Sequence, residues 1–282
     1  MKTLYYFVTA LIFFFMISCK KEKEKIVCTQ NIYIPDANLK QAIIDSYWGY
    51  GEESYSIDDN GDGEICDGEA LNLYALDIAY HGVTDLTGLD YFPNLTRLDC
   101  YHNNIKYFNL HHTKLSYLDC SYNNMDSINL SGLPHLAELW CSGNKFKKIN
   151  TSNNYLLKTF VCSFNLIDTL NLANNLYLDF FSFDDNKLNS INLINNTLLN
   201  TIYISNNPIQ AINLSKNTEL RSLTFGNNNF KRLDISNNKK LLFMRVDGLY
   251  PVEEICVWTL PFPTTQQHLV NFENYSIFKI CN

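Results

Sequence analysis

The chain has 282 residues and a formal net charge of -7, with 46% hydrophobic and 18% charged residues. That apolar share supplies a core and excludes a globally disordered chain. The acidic balance argues against nucleic acid as a partner, because nucleic acid needs a basic face. The acid is also concentrated, with no Lys or Arg between Lys40 and Arg97.

Lys2 opens the chain with a positive charge, and Leu4 to Ile17 is an apolar stretch of 14 residues. A bilayer span needs about 20 residues, so the stretch fits the apolar region of a secretory signal. It ends in Met16-Ile17-Ser18-Cys19, which resembles a bacterial lipobox. The resemblance implies cleavage before Cys19 and lipidation of that Cys, with an uncleaved anchor as the alternative. Lys20-Lys21-Glu22-Lys23-Glu24-Lys25 follows as a solvated, charged tether. It is similar to segments after the lipidated Cys that direct some Gram-negative lipoproteins to the outer face. The expected division is a signal peptide over 1–18, lipidated Cys and tether over 19–30, and an N-terminal cap over 31–72. Repeats fill 73–248 and a C-terminal cap 249–282. The expected location is the outer membrane facing outward, with the periplasmic face as the alternative.

Pro35-Asp36 precedes Leu39, Ala42 and Ile43 at helical spacing. Asp36 is a suitable N-cap, and the spacing predicts a short helix ending near Tyr47. The next segment, Asp58-Asp59-Asn60-Gly61-Asp62-Gly63-Glu64-Ile65-Cys66-Asp67-Gly68-Glu69, matches D-x-[DN]-x-[DN]-G-x5-E at every fixed position. It resembles the EF-hand and dockerin calcium loop. That resemblance assigns side-chain oxygens to Asp58, Asn60 and Asp62, a backbone carbonyl to Glu64, a water at Cys66 and a bidentate carboxylate to Glu69. The implied ion is a structural calcium holding the cap against the first repeat. The alternative is an acidic capping turn without an ion.

From Leu95 one phrase recurs: L-x-x-L-x-C/L-x-x-N-x-I-x-x-I-N-L. Its first position falls at Leu95, Leu115, Leu136, Leu157, Leu178, Leu199, Leu220 and Leu241, with one step of 20 residues and the rest of 21. The Asn falls at Asn103, Asn123, Asn144, Asn165, Asn186, Asn207 and Asn228. An earlier, divergent copy starts at Leu73, with His81 in place of the Asn. These positions resemble the leucine-rich-repeat family, and Gly82 to Leu89 resembles the repeats of internalin-like surface proteins. The fold this implies is a curved right-handed solenoid with a parallel concave sheet of about nine strands. Physical reasoning agrees with it. The fourth and sixth positions alternate on a strand and face inward, and one repeat alone cannot cover them, so the repeats must stack. The Asn amide then satisfies backbone groups left unpaired at the bend. A second column, Asn154, Asn175, Asn196, Asn217 and Asn238, marks the opposite corner. Ile105, Met125, Phe146, Ile167, Leu188, Ile209 and Phe230 fill the core between the corners. So do Phe108, Ile128, Ile149, Leu170, Ile191, Ile212 and Leu233. Such short coils leave little room for a helix, so the convex side should be short strands and turns, closed by an irregular or β C-terminal cap.

Cys100, Cys120, Cys141 and Cys162 share one inward column and read as inert core residues. Of the four cap cysteines, Cys256–Cys281 is the preferred disulfide and Cys28–Cys66 the second, with four free thiols as the alternative. The histidines show no metal spacing and read as solvated. No nucleophile or phosphate-loop motif occurs, so an enzyme is not expected. The outward strand positions carry Asp99, Tyr101, Tyr117, Asp119, Glu138, Trp140, Phe180, Tyr203, Phe243 and Arg245, with acid in the first half. Aromatics are enriched in binding hot spots, which points to a protein or peptide partner with basic and apolar features. A carbohydrate-binding module and a passive spacer are the alternatives.

Overall fold

The computed structural model describes residues 26–48, 55–247, 252–260, 269–270 and 277–281. The signal peptide, Cys19 and the whole charged run lie outside the described residues. The cap helix spans Ala37–Ile44, with Asp36 as its N-cap. Asp36 Oδ1 accepts from the amides of Asn38 and Leu39, both at 3.0 Å. The helix ends short of Tyr47. Tyr47–Trp48 instead pairs antiparallel with Tyr55–Ser56, because the chain must turn back before the acidic loop. The cap side chains Leu39, Ala42, Ile43, Ile57 and Ile65 merge into the same hydrophobic cluster as the repeats.

Nine parallel strands, one per repeat, form the concave sheet: Ala75–Asp77, Arg97–Asp99, Tyr117–Asp119, Glu138–Trp140, Thr159–Val161, Phe180–Ser182, Thr201–Tyr203, Ser222–Gly226 and Phe243–Asp247. Every neighbouring pair is in register, as in Leu98 opposite Leu118 and Leu118 opposite Leu139. The sheet has a tenth strand that the repeat pattern did not predict. Leu269–Val270 pairs parallel with Phe243–Asp247. On the other side Arg232–Asp234, Glu254–Val257 and Phe278–Ile280 form a parallel three-stranded sheet. The C-terminal cap is therefore of the β kind, and its strands continue the winding. Among the described residues, convex strands occur only at this end. In the earlier repeats the convex side is irregular turns.

Fourth-position side chains from Leu76 to Met244 and sixth-position side chains from Ile78 to Phe225 are buried. The column from Ile105 to Phe230 is buried throughout. The column beginning at Phe108 is less uniform, with Ile128, Leu170 and Ile212 only partly buried. The four column cysteines are free and buried, as expected. Both cap disulfides form, with Cα separations of 5.5 Å for Cys28–Cys66 and 5.3 Å for Cys256–Cys281.

The two asparagine columns tie each coil to the one before. Asn186 Oδ1 accepts from the Ile167 amide at 3.1 Å. Asn186 Nδ2 donates to Cys162 O at 2.9 Å and to Asp184 O at 3.2 Å. The same amide-to-Oδ1 bond recurs at Val83, Ile105, Met125, Phe146 and Leu188. At the opposite corner, Asn196 Nδ2 donates to Leu172 O and Asn175 O. Asn175, Asn217 and Asn238 repeat this pattern one coil at a time. The Oδ1 atoms of Asn154, Asn196, Asn217 and Asn238 have no partner among the described residues. Asn175 differs, because Thr151 stands one coil earlier where other repeats carry Leu or Ile, and its hydroxyl donates to Asn175 Oδ1 at 2.8 Å. His112 occupies the same corner column two coils before Asn154. It is buried, and its Nε2 lies 2.7 Å from Leu89 O. This corrects the expectation that the histidines are solvated. A neutral ring donating from Nε2 does the work of the amide, and burial lowers the His112 pKa accordingly.

Replacing Asn186 with Ala leaves the Ile167 amide without its partner and takes one of two donors from each of the Cys162 and Asp184 carbonyls. Chemical denaturation should show a loss of about 1–3 kcal/mol with a single transition retained. A change below a few tenths of a kcal/mol would mean that water serves those groups equally well.

Candidate functional site

Strand alternation places the third and fifth residues of each repeat on the concave face. In-register pairing lines them up across the sheet. Asp77, Asp99 and Asp119 are direct neighbours on three successive strands, and Trp140 continues the same row. Arg97 is set beside this row. Its guanidinium lies over the Tyr117 ring, 3.4 Å from the centroid, and its Nη2 is 3.9 Å from Asp99 Oδ2. Burial lifts the carboxyls of both Asp99 and Asp119 above the usual carboxylate range, and a neighbouring aspartate adds to the rise in each case. Burial likewise raises the Tyr117 hydroxyl. Glu138 is exposed beside this group.

The aromatic side chains sort into two groups. Trp140, Phe180 and Tyr203 run along the middle of the face. The first pair of rings is stacked at 6.5 Å and the second is edge-on at 5.6 Å. Trp140 Nε1 is buried without a hydrogen-bond partner among the described residues. Phe243 and Arg245 lie further along, on the last repeat strand. Tyr101 belongs elsewhere, to a cluster at the corner where the strands end. Its ring is edge-on to Tyr80 at 5.2 Å and to Tyr122 at 5.4 Å, and Tyr80 stacks on His102 at 4.5 Å. The hydrogen bond with the Tyr80 hydroxyl is the main reason the Tyr101 pKa is pushed up to about 12.

Sequence reading missed this corner. Tyr80, His102, Tyr122, Phe164, Asp185, Asn206 and Asn227 all have positive φ, one per repeat, each preceding the column position. Bulky residues adopt that conformation at a cost of about 1–3 kcal/mol each. Yet Tyr80, Tyr122 and Phe164 are 66%, 45% and 55% exposed, so core packing does not repay the strain. The one Gly in the series, Gly143, has φ +64, and a Cβ there would lie 2.7 Å from the Tyr122 ring. The recurring aromatic before the column position was the available signal. A serine row was missed as well. Ser121 Oγ accepts from the Ser142 amide, Ser142 Oγ from the Ser163 amide, and Ser163 Oγ from the Asp184 amide.

The acidic cap loop is closed by its own backbone. Asp58 accepts from the amides of Gly61, Asp62 and Gly63. Glu69 is buried and accepts from the amides of Asp59 and Cys66, both at 2.9 Å. Asp62 Oδ2 accepts from Asn60 Nδ2, and the Glu64 carboxylate pairs with Lys40 Nζ at 2.5 Å. Asp58, Asp62 and Glu69 do not converge on a common point. Among the described residues, the groups of three converging ligand atoms are Cys28–Cys66–Glu69 and Glu254–Cys256–Cys281, and both contain a disulfide. The donor set is nevertheless hard oxygen, and the buried Glu69 carboxylate has no cation among its hydrogen-bond partners. The cap helix is anchored to the first repeat through its N-cap. Asp36 Oδ2 accepts from Thr84 Oγ1 and from the amides of Thr84 and Asp85. The thiols of Cys100, Cys120 and Cys141 are pushed up by burial, which keeps them protonated and unreactive.

Asp119→Asn tests the cost of the acidic row. The Asp119 pKa is raised in the fold, so the stability tied to its protonated form is complete below the unfolded carboxyl pKa. That stability is lost as pH rises through the folded value. Asn keeps an acceptor for the Ser121 amide, which Asp119 Oδ1 holds at 2.9 Å. The variant should therefore melt above wild type at pH 7, with the gap closing below about pH 4. A lower melting temperature at neutral pH would show that the row is stabilising as it stands.

Comparison with known proteins begins with two negatives: no protein-family model matches the sequence, and no curated protein matches it. Solved structures do match. Internalin C2 from Listeria monocytogenes superposes with a TM-score of 0.69 at 19% identity, covering 78% of this chain and 99% of that one. The leucine-rich-repeat domain of APL1B gives 0.53 at 20% identity, covering 64% and 56%. A leucine-rich-repeat protein from Leptospira interrogans gives 0.51 at 14% identity, covering 75% and 74%. At such identities the likeness speaks of architecture, and the architecture is the leucine-rich-repeat solenoid.

Proposed function

We propose that this chain is a membrane-anchored surface lipoprotein that binds a protein or peptide partner on its concave sheet, without catalysing a reaction. The observation that carries this reading is the in-register acidic row of Asp77, Asp99 and Asp119 running into Trp140. The aromatics Phe180 and Tyr203 continue from Trp140 along the face. Rigid aromatic rings next to partly desolvated carboxylates suit a partner that brings a Lys or Arg beside apolar side chains. The supporting test compares capture by the full chain in detergent with capture by Trp140→Ala/Phe180→Ala and Asp99→Asn/Asp119→Asn. Each pair should weaken a captured partner at least tenfold, and wild-type capture should fall as salt rises. A partner held equally by all three proteins would place binding elsewhere. No specific capture at all would favour a spacer.

The anchor is proposed from residues 1–25. Cys19→Ser should move the protein from the membrane to the soluble fraction, since stable anchoring takes more than one acyl chain. A mutant that stays in the membrane would contradict the lipoprotein reading. An outward-facing outer-membrane location follows from the charged tether, and protease treatment of intact cells separates it from the periplasmic face.

Calcium is the proposed occupant of the cap loop, held by Asp58, Asn60, Asp62, the Glu64 carbonyl and Glu69. Asp62 would exchange its contact with Asn60 Nδ2 for the ion. Calcium that binds only the folded cap adds about 2.7 kcal/mol at a hundredfold excess over its dissociation constant. Thermal melts of the full chain should rise with millimolar calcium and fall with chelator, and Glu69→Ala should not respond. Identical wild-type melts in both buffers would leave the loop as an acidic capping turn.

A further inference from the structure

A second concave feature lies apart from the acidic row. Toward the C-terminal end, the strands Thr201–Tyr203, Ser222–Gly226 and Phe243–Asp247 meet the left-handed corner, and a cleft of about 400 Å³ opens there. That volume lies within the range of small-ligand sites, roughly 300–1,000 Å³. In-register pairing sets Tyr203, Thr224 and Arg245 side by side along one wall. Phe164 and Phe243 add two further aromatic side chains to the lining. Phe164 is held with φ 56 and stands 55% exposed, so its ring is presented at a backbone cost.

The polar groups of the lining carry both signs and both hydrogen-bonding senses. Asp184 and Asp185 are carboxylates, Arg245 is a guanidinium, and Ser205, Asn206 and Thr224 are neutral. Asp184 Oδ1 is fixed by the Ser205 amide at 2.5 Å, and Asp185 Oδ1 by Asn206 Nδ2 at 2.9 Å. Ser205 is only 6% exposed, and its hydroxyl has no partner among the described residues. It ends the serine row, in which each earlier oxygen accepts an amide from the next coil.

These groups select a ligand by elimination. Carboxylates and a guanidinium in one lining match neither a lone cation nor a lone anion throughout. A purely apolar group would strip water from all of them without replacing the hydrogen bonds. A neutral polyhydroxylated ring meets every demand. Its hydroxyls donate to the Asp185 carboxylate, while its C–H face lies on an aromatic ring. We propose that this cleft binds a neutral sugar ring of a glycan, with Tyr203 as the stacking platform and Asp185 as a hydroxyl acceptor. The cleft lies apart from the acidic row but shares Tyr203 with the aromatic strip of the proposed partner surface.

The test applies the full chain in detergent to an array of mannotriose, chitotriose, lactose, sialyllactose and a hexa-arginine peptide. At least one neutral sugar should bind. Tyr203→Ala and Asp185→Asn should each weaken that sugar at least tenfold with unchanged melting temperatures, and Tyr117→Ala beside the acidic row should leave its affinity intact. Asn tolerates the left-handed backbone at position 185, so that variant keeps the test clear of misfolding. The proposal is overturned if no neutral sugar binds, or if neutral-sugar binding survives both variants. It is also overturned if hexa-arginine binds in an Asp185-dependent way, since the cleft would then be a cation site. Loss of the concave protein partner in Asp99→Asn/Asp119→Asn, with sugar binding retained, would separate the two sites.

Discussion

Each column asparagine carries a donor pair and an acceptor on a side chain short enough to stay at the bend. At Asn186 the acceptor takes an amide of the preceding coil, and the donors serve that coil and its own. An irregular corner would otherwise bury backbone groups with nothing to bond. By answering them across the coil boundary, the amide fixes the position of each repeat relative to its neighbour. The register of the concave sheet follows from that. The second column contributes Nδ2 donor bonds at the far corner, so each coil from Asn154 onward is held at both ends of its strand. In the earlier coils of that column, His112 and Leu133 take over, one with a ring nitrogen and the other with packing alone.

The concave surface takes its character from this rigidity. A row of three aspartates on adjacent strands repels itself, and burial works against the charge of Asp99 and Asp119. A flexible sheet would splay to relieve them, whereas a sheet held by its corners keeps them together. The same holds for the left-handed aromatics at the corner, whose backbone conformation is over-determined by the column residue that follows. Strain and charge thus accumulate on the concave face and its corner, and the cost is carried by the asparagine columns and the core behind it. A pre-organised face of this kind loses little entropy on association.

Much of the solenoid was legible in the sequence because its period is short and its spacing nearly constant. The strands, both asparagine columns, the buried cysteines and the Asp36 cap all follow from residue type at fixed spacing. The tenth strand at Leu269–Val270 was not legible, because the interval from Phe243 to Leu269 breaks the period and the apolar pattern is diluted by Pro and polar residues. His112 was misread because a histidine can replace an amide only when its neighbours close over it, which is a property of the packed coil. The concave aromatics were found individually, yet their division into a central strip and a corner cluster depends on ring orientation. The cleft beside Tyr203 was less visible still. Its walls combine Phe164, Ser205 and Arg245 from coils up to four apart, and Asp184 reads in the sequence as an ordinary exposed residue.

The account stands on the claim that asparagine side chains, and not water, complete the backbone at the corner. Hydrogen exchange of the amides bonded to Asn Oδ1, those of Ile105, Met125, Phe146, Ile167 and Leu188, addresses it directly. These amides lie outside the strands, so a solvated corner would let them exchange by local fluctuation. The account predicts that they exchange as slowly as the amides of the central strands, through the same cooperative opening. Exchange at loop-like rates, with the strand amides still protected, would contradict it.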